Sequence, residues 1–336
     1  MPHPRLSLAR DAGLFAPADA GDIAVFGAID AANLDDLPRE AVLRVSSLKT
    51  DHDECARTGL RAALQATETT AQAIVVLPRA KVLARGLIAR ALAVANGRVI
   101  VDGQKTDGID SILKDCRKRG QVDEVIAKAH GKLFLLQAGV ADFADWALPD
   151  TPQEIAGGFV TLPGVFSADG VDPASNLLAG ALPKTLGKTV ADLGAGWGYL
   201  ARVMLERPEV TELHLVENDH SALDCARRNV DDPRARFHWD DATTWRPERA
   251  LDAVVMNPPF HSGRAADPGL GQSFIASAAA CLAPHGRLWL VANRHLPYEA
   301  ALQTHFAQVD EIAGDNRFKV LSAHRPTRNK GRHRIG

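Results

Sequence analysis

Four cysteines in 336 residues, Cys55, Cys116, Cys225 and Cys281, stand far apart with no C-x-x-C pair among them. That scarcity excludes a zinc ribbon and a disulfide framework, so a reducing, cytoplasmic setting is expected and no metal is. A dominant charge is missing too: 39 Lys and Arg oppose 41 Asp and Glu, a formal net charge of −2. Without a global basic field, any nucleic-acid partner must be met by a local patch. No apolar run approaches a membrane span, and the opening "MPHPRLSLARDAG" lacks the apolar core of a signal peptide. No membrane partner is expected.

What is present is an ordinary globular composition, 46% hydrophobic and 24% charged. The length allows two domains, each with its own core. From residue 188 onward, short apolar runs alternate with helical spacing. "KTVADLG", "ELHLVE", "ARFHWDD", "LDAVVM" and "RLWLVAN" read as strands, and "YLARVMLE", "HSALDCARRNV" and "GQSFIASAAACLAPHG" as helices, the last closed by Pro284 and Gly286. Such alternation predicts an α/β fold with a parallel, doubly wound sheet. "FAQVDEIAG" and "FKVLSAHR" are expected to complete it as an antiparallel hairpin.

The first half repeats this order in outline. "AIVVLPRAKVLARGLIARALAVANGRVIVDG" follows the same sequence of elements as "AVVMNPPFH" through "GRLWLVANR", and "VLRVSSLKTDHDECARTG" echoes "LHLVENDHSALDCARRNV". In this reading Pro78-Arg79 stands where Asn257-Pro258-Pro259-Phe260 stands later, and Ser46 near the place of Glu217. No glycine-rich turn like that at 194–198 occurs early, so the first copy keeps a fold and loses a site. Between the halves lies "ALPDTPQEIAGGFVTLPGVFSADGVD", dense in proline and glycine. The boundary is expected at residue 155, giving domains 1–155 and 156–336, with Leu162 to Asp172 packing over the second as a lid.

"VADLGAGWGYL" sets Gly194, Ala195, Gly196 and Gly198 between a strand and a helix, where glycine lets the backbone approach a ligand. The third residue after Gly196 is Tyr199, which disfavours the dinucleotide fingerprint G-x-G-x-x-G. The G-x-G-x-G loop preceded by Asp192 resembles the loop that holds S-adenosylmethionine in class I methyltransferases. That resemblance implies Asp192 near the methionine ammonium. Glu217, followed by Asn218, closes the next strand, where an acid can accept both ribose hydroxyls. It also implies an acid for the adenine amino group at Asp241-Ala242, with Asp240 as the rival. Any one of these alone equally suits a structural turn or a surface acid.

The fourth strand ends in "NPPFHSG". An exocyclic amine on a base is a poor nucleophile because its lone pair is delocalised. The Asn257 side-chain oxygen and the Pro258 carbonyl can accept its two hydrogens and stabilise charge that appears on nitrogen in the transition state. Pro258 and Pro259 hold both oxygens rigid, and Phe260 can stack on the flipped base. His261 fits either a base contact or a loop-shaping role.

N-P-P-F resembles amino-group methyltransferases. Together with "TLPGVFSADGVD", "VANRHLPY" and "RFKVLSAH" it is similar to the RsmC-type family, the 16S rRNA guanine-N2 methyltransferases. The resemblance spans essentially the whole chain, more strongly from residue 160. It implies two tandem Rossmann-like methyltransferase domains, the N-terminal one degenerate and the C-terminal one a seven-stranded class I sheet. It also implies S-adenosyl-L-methionine as cofactor, 16S rRNA in the 30S subunit as partner, and methylation of one guanine N2. A 23S rRNA guanine-N2 enzyme is the nearest alternative; protein-glutamine and DNA-adenine methylation share the N-P-P-F signal. Outside enzymes, an assembly factor with a vestigial cofactor site remains open. A monomer is expected, because two internal copies can pack as a dimer would. Asp315-Asn316 replaces the glycine common in the family, leaving the last hairpin's contacts open. The tail from Arg317 carries seven Lys or Arg and no acid, which suits rRNA phosphates or a solvated end.

Overall fold

The apolar runs marked as central strands are buried on both faces, as a parallel sheet covered by helices requires. In the computed structural model of the chain, residues 4–17, 20–34, 37–139, 142–259, 261–262, 265–266 and 268–327 are described, with backbone only at 261, 262, 265, 266 and 268. Contacts divide the chain into two units, Met1–Thr151 and Pro152–Gly336.

The first unit runs α1 (Pro4–Asp11), β1 (Ile23–Phe26), β2 (Val42–Val45), α2 (Lys49–Thr58), β3 (Arg61–Ala63), β4 (Gln72–Val76), α3 (Lys81–Val94), β5 (Arg98–Gln104), α4 (Ile109–Arg119), β6 (Val122–Lys128) and β7 (Gly131–Gln137). Its sheet has the order β3-β2-β1-β4-β5-β7-β6, parallel except for β7, which runs antiparallel to both neighbours. Ile88, Ile112 and Phe134 fill one face; Leu34, Cys55 and Ile74 fill the other. The buried Arg5 guanidinium grips Asp102 with two hydrogen bonds, 2.5 and 3.0 Å, and so ties α1 to β5.

The second unit begins with a hairpin, β8 (Gln153–Ile155) and β9 (Phe159–Thr161). Next come α5 (Pro173–Ala181), β10 (Thr189–Leu193), α6 (Tyr199–Leu205), β11 (Glu212–Glu217), α7 (His220–Asn229), β12 (Ala235–Trp239) and β13 (Leu251–Met256). A short hairpin, β14 (His261–Ser262) and β15 (Ala265–Ala266), leads to α8 (Pro268–Cys281), β16 (Leu282–Asn293), α9 (Tyr298–His305), β17 (Phe306–Gly314) and β18 (Phe318–Pro326). The main sheet is β12-β11-β10-β13-β16-β18-β17, strand for strand the order of the first. The repeat read in the sequence is therefore present as topology.

Two details differ from the sequence reading. Gln153–Ile155, assigned there to the first domain, pairs with Phe159–Thr161 and so belongs to the second unit. Helix α8 ends at Cys281, before Pro284, because Leu282 already pairs with Leu251 in the sheet. In the first unit the register Val25↔Ile74 matches Asp192↔Val255 in the second, which brings Val76 to the place of Asn257 and Pro78 to that of Pro259, within the stretch where the sequence reading sets it. The loop after β1 also closes directly on that place: a Cβ on Gly27 would lie 2.0 Å from the Val76 carbonyl oxygen. Ser46 follows β2 where Glu217 closes β11, as expected. It performs only the local part of the job, accepting the Leu48 N–H at 3.1 Å just as Glu217 accepts the Asp219 N–H.

Candidate active site

Strands β10, β11 and β13 end on one edge of the second sheet, and the residues singled out by sequence lie there. The turn after β10 is a run of left-handed glycines, φ +79° at Gly194, +54° at Gly196 and +91° at Gly198. Gly194 and Ala195 both donate to the Val216 carbonyl, at 2.9 and 3.1 Å. The Gly196 N–H donates to Glu217 Oε2 at 2.7 Å. A Cβ on Gly196 would point into open space, so this backbone is free for close approach, whereas one on Gly198 would meet Val230 at 3.0 Å.

Asp192 is completely buried, and neither carboxylate oxygen has a hydrogen-bond partner among the described residues. Burial, reinforced by the neighbouring Glu217 charge, pushes its carboxyl up to about 8. A cation beside it would favour its ionisation. Burial also raises the Glu217 carboxyl, against the pull of the Asp219 and Gly196 N–H groups that it accepts. Asn218 contributes its backbone, whose carbonyl accepts from Trp239 Nε1 at 2.9 Å. Past β12, Asp241 Oδ1 closes a turn by accepting the Thr243 N–H and hydroxyl, while Asp240 Oδ1 accepts the Asp241 N–H. Ala242 is buried beneath them.

Asn257 is half-buried one residue past β13, followed by buried Pro258 and exposed Pro259. Its Nδ2 donates to Asp172 Oδ2 at 3.0 Å and to Ser175 Oγ at 2.9 Å. No described residue donates to Oδ1, which is left for a ligand. Phe260 lies outside the described residues, as do the side chain of His261 and the tail from 328. Gly194, Ala195, Gly196, Trp197 and Asn257 share one cleft, closed on its other side by Phe166, Ser167, Asp172 and Ser175. Glu217, Asp240 and Asp241 stand beyond that cleft along the sheet edge.

The segment read as a lid is a clamped strap. Trp197 Nε1 donates to the Phe166 carbonyl at 3.0 Å, and its ring packs on Phe159 with centroids 5.0 Å apart. Asn229 accepts the Val160 N–H and donates to both the Val160 and Trp197 carbonyls, all within 2.9 Å. One side chain thus ties strap, glycine loop and α7 together. Asp172, Ser175 and Asn229 escaped the sequence reading. Asp172-Pro173 is an N-cap followed by proline, a legible helix start, but nothing in it points to a residue 85 positions away. The last hairpin is closed by Asp315 Oδ1, which accepts the Arg317 and Phe318 N–H groups at 2.7 Å each, and Arg294 Nε holds the Asp315 carbonyl.

The unit around this cleft is a methyltransferase domain: residues 156–322 match the family model of the methyltransferase small domain. Ribosomal RNA small subunit methyltransferase C of Shewanella halifaxensis is 34% identical over 268 residues, covering 74% of this chain and 76% of that protein. The solved structure of the Thermus thermophilus 16S rRNA N2 guanine methyltransferase (RsmC), in complex with AdoMet and guanosine, superimposes with a TM-score of 0.74 at 28% identity, over 95% of this chain and 92% of that one. A ribosomal RNA large subunit methyltransferase G of Shewanella amazonensis is 33% identical, over only 53% of this chain and 47% of that protein. The chain belongs to the ribosomal RNA small subunit methyltransferase C family, as its motifs indicate.

Proposed function

We propose that this chain transfers a methyl group from S-adenosylmethionine to the exocyclic N2 of a guanine in 16S rRNA of the 30S subunit, and that its target is guanine 1207, named for the structural relative. The observation that carries the reading is that, on one sheet edge, neither the buried Asp192 side-chain oxygens nor Asn257 Oδ1 has a side-chain partner among the described residues.

The residues fit the cofactor. Asp192 would hold its ammonium, the Gly194–Gly198 backbone would lie against it, Glu217 would accept from the ribose hydroxyls, and Asp241 or Asp240 would take the adenine amino group. When bound, the sulfonium supplies an electrophilic methyl carbon. Asn257 Oδ1 and the Pro258 carbonyl accept the two N2 hydrogens and hold the nitrogen lone pair toward that carbon. Both oxygens also stabilise the positive charge that grows on nitrogen, an interaction stronger in the transition state than in the ground state. The methylated amine then releases its proton to water. Stacking on the base is the role proposed for Phe260, which lies outside the described residues.

Activity on 30S, monomeric behaviour and a cytoplasmic setting belong to the same proposal; among the described residues no helix is long and apolar enough to cross a membrane. The large-subunit alternative is weaker, since that similarity covers about half the chain. The first unit, with Val76 at the asparagine's place, acts as support and as an RNA-docking surface. Its α4 presents Lys114, Arg117 and Lys118 on one exposed face, and none of them is in an ion pair among the described residues. The neighbouring Lys81, Arg85 and Arg119 are paired with Asp115 and Asp145.

Labelled S-adenosylmethionine supplied with 30S, 50S, DNA or release factor tests the substrate: label is expected in 30S, at one guanine. Asn257→Ala should lower turnover at least about 100-fold while cofactor affinity changes little. Label in 50S alone, or full activity in that variant, would refute the reading.

A further inference from the structure

The chemistry just described needs the Asn257 amide to face one way. An amide is nearly symmetric in shape, and turned by half a rotation it would meet the guanine amine with NH2 against NH2. Donor would face donor, and no lone pair would be steered. Something must decide which end points into the cleft.

We propose that Asp172 and Ser175 are positioning residues that lock the Asn257 amide with its oxygen toward the incoming amine. This rests on the role given to Asn257 above. Both Nδ2 hydrogens are engaged, at 3.0 Å with Asp172 Oδ2 and 2.9 Å with Ser175 Oγ. An ionised carboxylate only accepts, so Asn257 Oδ1 cannot take that position without facing another oxygen. The orientation therefore follows from chemistry and not merely from packing.

The lock is itself anchored. Asp172 is the N-cap of α5 and accepts the Ser175 N–H at 2.8 Å through the same Oδ2 that takes the Asn257 hydrogen. Ser175 is buried, and Leu178, one turn on, is fully buried in the core of the second sheet. Upstream, the chain arrives through the strap that Asn229 and Trp197 clamp. The segment from Phe159 to Asp172 thus does more than cover the cleft: it delivers the group that orients the amide at the end of β13. Donation to a carboxylate also polarises the amide and makes Oδ1 a better acceptor as positive charge grows on the amine.

The test uses the full-length protein, 30S subunits and S-adenosylmethionine. In Asp172→Gly combined with Ser175→Ala both acceptors are gone, yet glycine is tolerated at an N-cap, so α5 should persist. Turnover is expected to fall roughly 100-fold, with cofactor affinity and the KM for 30S within about twofold of wild type. Asp172→Asn should stay within about threefold of wild type, because its oxygen can accept both bonds in the same place. The Asn257 side-chain amide signals, identified by their loss in Asn257→Ala, should show slow hydrogen exchange in wild type and Asp172→Asn and fast exchange in the double variant. Wild-type turnover in the double variant beside an inactive Asn257→Ala would overturn the lock and leave the role of Asn257 standing. An active Asn257→Ala would instead refute that role. Asp172→Asn as impaired as the double variant would show that charge, not orientation, matters, and a fall in melting temperature and cofactor binding together would reduce the pair to scaffolding.

Discussion

The Gly196 backbone N–H donates to Glu217 Oε2 at 2.7 Å, so the loop closing β10 and the acid closing β11 form one unit. Burial first, and then the Glu217 charge held beside it, push the Asp192 carboxyl up to about 8, so it is expected to keep its proton at neutral pH until a cation arrives.

Affinity for S-adenosylmethionine is therefore expected to rise with pH toward about 8, because below that value binding must displace the Asp192 proton, and to fall again above it as the ligand's own ammonium loses its proton. Calorimetry in buffers of different ionisation heat should detect the released proton. Asp192→Asn should bind weakly and without this dependence. An affinity flat from about pH 6.5 to 8.5 would contradict the assignment.

The same shift has a consequence for stability. A carboxyl raised from 3.8 to about 8 on folding contributes stability that is fully present below 3.8 and is lost as pH rises through 8. With the cofactor left out, Asp192→Asn should gain on wild type in melting temperature as pH rises from about 4 to about 8, and no further above that.

Gly196 and Gly198 should separate binding from folding. Gly198→Ala combines a left-handed backbone with a Cβ 3.0 Å from Val230, and about 1–3 kcal/mol of stability should be lost in urea unfolding. Gly196→Ala meets no protein atom and should cost about 1–2 kcal/mol from backbone strain alone, yet it should weaken the cofactor more than Gly198→Ala does.

Asn229→Ala removes three hydrogen bonds at once, and a loss of about 2–3 kcal/mol is expected in chemical denaturation. With the strap unclamped, the Val160 N–H should exchange with solvent faster. Unchanged exchange there would show that the aromatic packing of Trp197 on Phe159 suffices.

Replacing Lys114, Arg117 and Lys118 together by Gln should weaken binding to 30S and reduce its log–log salt slope by about 2. Turnover at saturating 30S should be unchanged. A slope equal to wild type would move the RNA-docking surface elsewhere.

Most of the strands were legible because burial on both faces writes continuous apolar runs between turn residues. The glycine loop, Glu217 and the N-P-P corner were legible because backbone conformation and ligand chemistry narrow the residue types at strand ends. Boundaries were less so: Gln153–Ile155 reads as linker until Phe159–Thr161 pairs with it. That Val76 holds the asparagine's place in the first unit was not legible, because it is fixed by the pairing of β1 with β4.

By itself, the sequence determined the two α/β units, the repeat and the strand ends that carry the site, since these follow from periodicity and local conformational preference. Tertiary structure alone decided that Asp192 is buried with no side-chain partner among the described residues, that Asn229 clamps the strap, and that Asp172 reaches across to Asn257. Those are relations between residues far apart in the chain, set by how the sheet and its covering segments pack, and no local pattern encodes them.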